Sequence, residues 1–556
     1  MAADVNAEMP AAPEVLDARL VPAALCCWGA TIATVVLGWW VGVGLAVGCG
    51  VLAVGLWVSV VRAAGPAVAR GRIPWLIGPR GRAPESAGAG WATAGWGGRV
   101  RLILVGALLI GAGFAGAAAW REYRVQTHPL RDVVRGSSLW VTVVAADDPK
   151  VLSAKGSRKR QWMTRAELVE FRDGVRGVSA GGDVVVISGE AGWRGLLPGQ
   201  RVVFRARVDK PWRADLTVAV LRAQGAPVEV GEASWWQRAA GRVRANFAGA
   251  AQESLSEEAA GLLPGLVIGD TSRLSEEVRA DFREVDLAHL TAVSGANVTI
   301  LLGAVLLSMR ALTVDLRVGV AVAGIALVLF VVLARPSPSV LRAAVMGAVG
   351  LLGLCTGYRK QALPALCTAV ILLLAWSPAL AVDAGFALSV LATAGLVLLA
   401  PGWSEWLRRH GWPRPVADAV AVSAAAFVVT APVIVAMTGH LSLVGIAVNV
   451  LVEPVVAPIT VLGAAGALLS CVWSPLAEWE LHCTAPLLWW LLTVSDRAAA
   501  LGASAVLPSG VRSGVAAAAV CAVLIALLRP APHRAEGRAM CRPRAGLSGR
   551  ARRIGA

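Results

Sequence analysis

Hydrophobic residues follow two patterns in the 556-residue chain: long unbroken runs on both sides of a central segment, and short alternating runs within it. Residues 20–61 are long enough for two membrane-spanning helices joined by a tight turn, because one span needs about 20 apolar residues. A third span is predicted at 102–119. Nine more are predicted at 286–309, 318–334, 340–357, 363–377, 384–400, 416–437, 443–472, 484–501 and 512–528.

The central segment, residues 121–233, predicts a small β-domain. Hydrophobic and polar residues alternate in its runs SLWVTVVAAD, GDVVVISGE, QRVVFRARVDK and DLTVAVLRA, and Gly, Pro and Asp turns separate them. Short strands of this kind predict either a barrel of the OB type or a small sandwich. Residues 234–258 then predict an amphipathic helix in the plane of the membrane interface.

The patterns divide the chain into five parts and predict a polytopic α-helical membrane protein with a small extracytoplasmic β-rich, OB-like domain. The parts are an N-terminal membrane region at 1–120, the β-domain at 121–233, the amphipathic helix with a short re-entrant-like segment at 234–285, a polytopic core at 286–528, and a basic tail at 529–556. Pro454 and Pro458 leave the span at 443–472 open: it is one broken span, two spans, or a span with a re-entrant segment.

Charge supports this division. Only 16% of the residues are charged and the mean hydropathy is +0.65, whereas a soluble enzyme carries about 25% charge. Most of the net charge of +16 lies in the loop 62–101, in the tail and in residues 121–258. By the positive-inside rule the loop is cytoplasmic, which places the segment after Trp120 outside. The side of the tail depends on the number of spans in 443–472.

Motifs for metal, nucleotide or catalytic chemistry are missing from the sequence. The nine cysteines form no CxxC pair, and no two of the six histidines lie within 29 residues of each other. The patterns GxxxxGK[ST], GxSxG and HExxH do not occur. We therefore expect no cofactor, no metal, no catalytic residue and no enzymatic activity.

Polar residues in or beside the apolar runs are the candidate functional residues, because each costs free energy in lipid unless it contacts protein or water. The first set is Asp270, His289, Ser294, Gly295 and Asn297. It predicts either the lining of a water-filled path or a helix start with a polar cap and a small residue for close packing.

A second set surrounds two prolines that break a helix. Arg335 and Arg342 lie two turns apart if the segment is helical, and Ser337 or Ser339 can cap the helix as it restarts. Two arginines beside helix N-terminal N–H groups favour an anion, and a plain extracytoplasmic loop is the alternative. Two smaller sets follow, Asp383 with Ser389, and Asn449 with Glu453.

In order and spacing these sets resemble the ComEC family of competence proteins. The stretch from Gly269 to Val298 is similar to the family's "GD…LS…F…GL.HL.AVSG.HV", although Ala296-Asn297 stands where many members have Leu-His or Ile-His. SPSVLRAAVM is similar to "SPS..RA..M", GFALS to "GFQLS", and NVLVEP to "N.L..P". Many members continue into a metallo-β-lactamase-like domain, and the histidine spacing here leads us to expect a form without it.

The resemblance implies a channel in the bacterial cytoplasmic membrane that moves single-stranded DNA inward during transformation. Its expected partners are membrane lipid, single-stranded DNA, an extracytoplasmic DNA receptor, a cytosolic ATP-driven helicase-like motor and a separate nuclease. The residues expected to line the path or contact DNA are Ser294, Gly295, Asn297, Arg335, Ser337, Ser339, Arg342, Ser389 and Asn449. Those expected to anchor helices, pair with arginine or couple protons are Asp270, His289, Asp383 and Glu453.

Two other functions fit parts of the pattern. A secondary transporter of a small organic anion also uses broken helices and arginines at membrane depth, and it would show inverted internal repeats. A membrane-embedded hydrolase would use Ser294, His289 or Asp383, but no known relay motif connects them.

Overall fold

The computed structural model describes residues 17–64, 90–152, 161–173, 176–291, 293–356, 362–442 and 444–528. They form an N-terminal group of helices, a β-barrel, and a second, larger group of helices. Most of the predicted basic loop at 62–101 and the predicted basic tail at 529–556 lie outside the described residues.

The first three predicted spans are helices α1 (Val21–Leu37), α2 (Trp39–Ala64) and α3 (Gly90–Gln126). Gly38 makes the turn between α1 and α2 at φ +104°, a conformation that favours glycine. Helix α3 extends beyond the predicted span to Gln126, and so leads directly into the β-domain.

The β-domain is a closed barrel. Its strands are β1 (Ser138–Ala145), β2 (Lys150–Leu152), β3 (Gln161–Asp173), β4 (Arg176–Ser188), β5 (Arg201–Asp209), β6 (Ala219–Ala223) and β7 (Glu229–Val230). The order β1-β3-β4-β6-β5 closes on itself because β5 also pairs with β1. Only β4 and β6 pair in parallel. Closure excludes the alternative of a small sandwich.

The alternation of hydrophobic and polar residues along the strands explains the barrel core. Leu139, Val141 and Val143 of β1 point inward and are nearly fully buried, and Trp193 packs edge-on against Phe204. Strand β3 was not predicted, because charged residues are scattered along its outward face. Desolvation raises the pKa of the Asp183 carboxyl on β4, and the neighbouring Glu167 raises it further.

Three helices connect the barrel to the polytopic core: α4 (Trp235–Ser254), α5 (Glu257–Ile268) and α6 (Glu276–Glu284). The apolar face of α4 carries Phe247 and packs against other helices, so protein covers this face. Helix α5 is almost wholly buried, since Leu262, Leu263 and Leu266 lie in the largest hydrophobic cluster.

Each of the nine predicted spans after residue 285 contains a helix. With two shorter helices, α12 and α15, these are α7 (Gly295–Ala311), α8 (Leu316–Ala334), α9 (Pro338–Thr356), α10 (Ala362–Trp376), α11 (Ala384–Leu398), α12 (Ala400–Arg409), α13 (Arg414–Thr438), α14 (Gly445–Leu469), α15 (Ser474–His482), α16 (Ala485–Ala500) and α17 (Val511–Leu527). Helix α7 starts nine residues later than predicted. Before it lie a short 3-10 turn and Asp286, whose φ is +59°.

Across all the described residues, six helices are long and apolar enough to cross a membrane, namely α2, α3, α8, α9, α13 and α14, or seven if the bent pair α11–α12 counts as one span. Four more are apolar but shorter. The protein is therefore a polytopic helical membrane protein with a β-domain, as predicted.

Within the predicted span 443–472, the described residues form one helix, α14, at Gly445–Leu469, which contains both Pro454 and Pro458. A short ladder, β8 (His440–Ser442) with β9 (Ser504–Val506), joins the loop before α14 to the loop after α16. Gly439 has φ +68°, and a Cβ there would collide with the Leu507 carbonyl. The α13–α14 and α16–α17 connections therefore lie on the same side of the helices.

Candidate functional site

Arg342 is a buried cation in the helical core. Helix α9 restarts at Pro338, which places this side chain in its second turn, and it is only 4% exposed. Its Nε donates a hydrogen bond to Ser389 Oγ (2.8 Å), and Nη1 donates to Thr393 Oγ1 (2.7 Å) and contacts Met346 Sδ (3.3 Å). The guanidinium therefore joins α9 to α11 through neutral partners.

The start of α7 completes this site. A Cβ at Gly295 would lie 3.1 Å from Arg342 Nη2, so the absence of a side chain lets the guanidinium approach the first turn of α7. Ser294 precedes that turn and donates to Asn297 Oδ1 at 3.1 Å. We call Gly295, Arg342, Met346, Ser389 and Thr393 the Arg342 site.

The electrostatics of the Arg342 site are one-sided. The guanidinium lies near the N-terminus of α7 and in the second turn of α9, and it bonds Ser389 in the second turn of α11. Helix N-termini carry positive partial charge. Among the residues that the structure describes, no carboxylate lies within ion-pair distance of Arg342. The site is therefore set up to attract an anion.

Asn297 lies beside this site and makes a hydrogen bond that joins two helices. It is 4% exposed, and its Nδ2 donates to the Leu266 carbonyl near the C-terminus of α5 at 2.6 Å. The last carbonyls of a helix have no partner within the helix, so this amide satisfies one of them. Asn297 thus connects α5 to α7.

We expect Asn297→Ala to lower the free energy of unfolding by about 1–3 kcal/mol, because it leaves a buried carbonyl unpaired. Thermal unfolding of the purified chain in detergent measures this. Asn449→Ala is the matched control, since Asn449 bonds the Gly445 carbonyl within its own helix and should change stability less. An unfolding midpoint equal to that of the native chain would contradict the structural role of Asn297.

The two serines at the helix break stabilise the break itself. Ser337 Oγ accepts from the Val340 N–H at 3.4 Å and lies 3.2 Å from Ser339 Oγ. Ser339 in turn donates to the Val293 carbonyl at 2.9 Å. These bonds hold the α8–α9 connection against the segment that leads into α7.

Arg335 and Arg342 do not lie two turns apart on one helix. Helix α8 ends at Ala334, and Arg335 turns away with φ +70°. Its Nε donates to Asp148 Oδ2 of the β-domain at 3.0 Å, and Nη1 bonds Gln237 of α4. Burial lowers the pKa of the Arg335 guanidinium, and the neighbouring Asp148 carboxylate opposes that shift.

Arg244 of α4 shares the Asp148 carboxylate. It lies 3.7 Å from Asp148 and 3.7 Å from Asp270, and it donates to the carbonyls of Leu333 and Ile268. We call Asp148, Gln237, Arg244, Asp270 and Arg335 the docking network, because it joins the barrel, α4 and the end of α8. Asp270 thus pairs with arginine.

Asp383 makes a second connection of this kind. Its carboxylate caps α11 by accepting from the Phe386 N–H at 2.8 Å, and it lies 3.7 Å from Arg165 of β3. The β-domain therefore contacts the helical core at two places through opposite charges.

The last two candidates are exposed. His289 Nδ1 lies 2.9 Å from the Asp286 carbonyl. Glu453 lies on the surface of α14, and among the described residues it has no ion-pair partner. Of the predicted residues, the structure thus brings together Gly295, Arg342 and Ser389, with Ser294 adjacent, and it places Arg335, Asp383, Asn449 and Glu453 elsewhere.

Sequence reasoning missed several residues. Thr393 follows Ser389 by one helical turn, so the spacing of two hydroxyls on one face of α11 was an available signal. Asp148 and Arg165 carried no signal, because their partners lie 187 and 218 residues away.

Comparison with known proteins identifies the region of the chain that contains the Arg342 site. Residues 266–532 match the family model Competence, described as "Competence protein", and this range contains the whole Arg342 site. The chain is similar to ComE operon protein 3 of Bacillus subtilis (strain 168), with 32% identity over 144 residues, which are 26% of this chain and 19% of that protein. The match thus spans about a fifth of that relative's length. No solved structure matches the chain.

The motifs AVSGANV, SPSVLRAAVM and GFALS lie within this matched region. Residues 266–532 therefore form a domain of the Competence protein family, and the motifs within it resemble those of ComEC proteins.

Proposed function

We propose that this protein is a channel in the bacterial cytoplasmic membrane that moves single-stranded DNA into the cytoplasm during transformation. Its family and its membrane-spanning helices support a role in DNA uptake. The observation that carries the proposal is the Arg342 site: a buried cation near helix N-termini, bonded only to neutral side chains.

This chemistry suits a passing DNA strand. Each nucleotide presents one negative charge, so a path needs positive potential and tolerance of every base. Arg342 supplies the potential, and the hydroxyls of Ser389 and Thr393 bond phosphate oxygens without reading sequence. Conduction also requires that each phosphate leave again. A single arginine that already bonds two hydroxyls provides attraction of moderate strength.

Arg335 and Arg244 have a different part in this proposal. Both are paired with carboxylates, so their positive charge is already compensated. We assign them to the attachment of the β-domain, and Asp270 and Asp383 to the same task. The positive potential of the path is then concentrated at Arg342.

The proposal extends to partners by the family resemblance. A DNA receptor would deliver the strand from outside, an ATP-driven helicase-like motor would pull it from the cytosol, and a separate nuclease would degrade the complementary strand. The chain itself would need no catalytic residue.

The test is DNA uptake in a transformable host that carries this gene. We expect deletion to abolish DNase-resistant, internalised DNA and to leave DNA bound at the cell surface, because only passage across the membrane is lost. Labelling one strand of the donor duplex at a time shows whether a single strand enters. Normal internalisation in the deletion strain would contradict the proposal, whereas rescue by the native gene supports it.

A further inference from the structure

Helix α15 carries a carboxyl group that is buried without a partner. Both carboxylate oxygens of Glu480 are shielded from solvent, and neither has a hydrogen-bond partner among the described residues. The side chain reaches Gly466 of α14, where a Cβ would lie 2.7 Å from Glu480 Oε2 and 2.5 Å from Leu481 Cδ2. Glycine at this position therefore provides the space that Glu480 occupies. An ionised carboxylate in such a place is costly, because burial disfavours the charge.

Charged neighbours do not compensate Glu480. Helix α15 packs against α14 and α4. The other titratable groups on these three helices are Arg238, Arg242, Arg244 and Glu253 of α4, Glu453 of α14, and Glu478 and His482 of α15. Among the described residues, none forms an ion pair with Glu480. Burial alone raises the pKa of the Glu480 carboxyl to about 7. The group therefore keeps its proton in about half of the molecules at neutral pH.

A second contact of α15 also needs a proton. Glu478 shares a hydrogen bond with Glu253 in the last turn of α4. Two ionised carboxylates only accept hydrogen bonds, so this bond forms only when one of the two carries a proton. The hydrogen bond raises the pKa of Glu478, and His482 opposes that rise. Helix α15 thus meets each of its two neighbours, α14 and α4, through a carboxyl group that requires a proton.

We propose that α15 is a proton-binding clamp: protons on Glu480 and on the Glu478–Glu253 pair hold it between α14 and α4, and their loss releases it. Loss of the first proton leaves an unpaired charge against α14. Loss of the second sets two like charges side by side on α15 and α4. Because α4 also carries Arg244 of the docking network, the clamp fastens that helix to α14. This inference goes beyond the proposed function and does not depend on it.

The chemistry of the clamp favours a proton over a metal ion. The two oxygens of one carboxylate do not complete the coordination shell of a hard cation, which takes about six or more oxygen ligands. The part of the chain that the structure describes contains no group of three or more His, Cys, Asp or Glu side chains that could hold a metal ion. A hydrated cation also cannot approach oxygens that are closed to solvent, whereas a proton can.

The first test is the pH dependence of thermal unfolding of the full chain in detergent. A carboxyl whose pKa is raised in the folded state stabilises it fully below the ordinary pKa of 4.5, and this contribution is lost as pH rises through about 7. Glu480 alone should lower the folding equilibrium constant by up to about tenfold for each pH unit in that interval. Glu480→Gln is neutral and should lose most of this fall, and adding Glu478→Gln should remove more. Glu190→Gln is the matched control, since Glu190 is exposed on the barrel, and it should keep the native pH dependence.

Two further measurements observe the proton and the contact directly. The infrared C=O band of protonated carboxyl groups should lose a component with a midpoint near pH 7 in the native chain, and Glu480→Gln should lack that component. Amide hydrogen exchange in α15 should be faster in the native chain than in the double glutamine variant at about pH 8, and equal at about pH 5. Comparison at one pH cancels the intrinsic exchange rate.

Three results would overturn the inference. They are equal pH dependence of unfolding in the native chain and Glu480→Gln, a Glu480 band that titrates near pH 4.5, and equal exchange in α15 at about pH 8. The infrared titration of the native chain decides the matter even if a glutamine variant does not fold.

Discussion

Arg342→Ala is expected to reduce DNA internalisation at least tenfold while leaving the protein as stable as the native chain or more stable. The uptake falls because the path loses its buried positive charge. Stability does not fall, because a buried cation without a carboxylate partner is costly in the folded state, and its removal leaves only hydroxyls that can bond within their own helices. Residues that serve function at the expense of stability behave in this way.

Two variants sharpen this prediction. Arg342→Lys keeps the charge but cannot bond Ser389 and Thr393 in the same fixed geometry, so its uptake should fall between those of the native and alanine proteins. Arg317→Ala removes an exposed arginine at the start of α8 and should transport normally. Internalised label and thermal unfolding in detergent are measured on the same four proteins. Normal uptake by Arg342→Ala at native protein levels would remove this site from the path.

Asp148→Asn is expected to lower the free energy of unfolding by about 2–4 kcal/mol. The substitution leaves Arg244 and Arg335, whose side chains are 11% and 10% exposed, without the carboxylate that they share. Loss of one partner of a fully buried pair costs about 3–5 kcal/mol, and the 29% exposure of Asp148 reduces that figure. The thermal midpoint in detergent and the rate of proteolysis between the barrel and α4 measure the effect.

The control for Asp148→Asn is an ion pair that lies wholly within the β-domain. Asp209→Asn breaks the exposed pair with Arg222 on the barrel surface, and we expect a change of about 0–1 kcal/mol. A double variant, Asp148→Asn with Arg335→Gln, should recover part of the loss because it removes one uncompensated charge. If Asp148→Asn unfolds and is cleaved like the native chain, the docking network does not hold the β-domain.

The local hydrophobic pattern predicts most of the secondary structure of this protein. Contacts between residues far apart in the chain form the Arg342 site. Twelve apolar runs became helices because each run is long enough to satisfy its own backbone, and alternation predicted β1, β4, β5 and β6. The pattern does not predict strand β3, because charged side chains face outward along it. Its strand conformation depends on pairing with β1 on one side and β4 on the other. Arg342 was chosen from sequence, but its neighbours Gly295 and Thr393 come from helices that only the fold brings together.

The two arginines look alike in sequence but differ in their tertiary contacts. Arg335 and Arg342 share a motif, yet a carboxylate nearly two hundred residues away compensates only the first. A sequence pattern cannot distinguish a paired cation from a free one, because its partner is set by tertiary contact. The difference between an attachment point and a candidate anion site is visible only in the fold.

The β8–β9 ladder has a mechanical consequence. Since it ties the α13–α14 connection to the α16–α17 connection, those four helices can tilt only as one body unless its hydrogen bonds break. The α8–α9 connection has no such ladder; serine hydroxyls and the Asp148 carboxylate hold it. Any widening of the core to admit a strand should therefore hinge at the prolines between α8 and α9, with the laddered helices as the stationary wall.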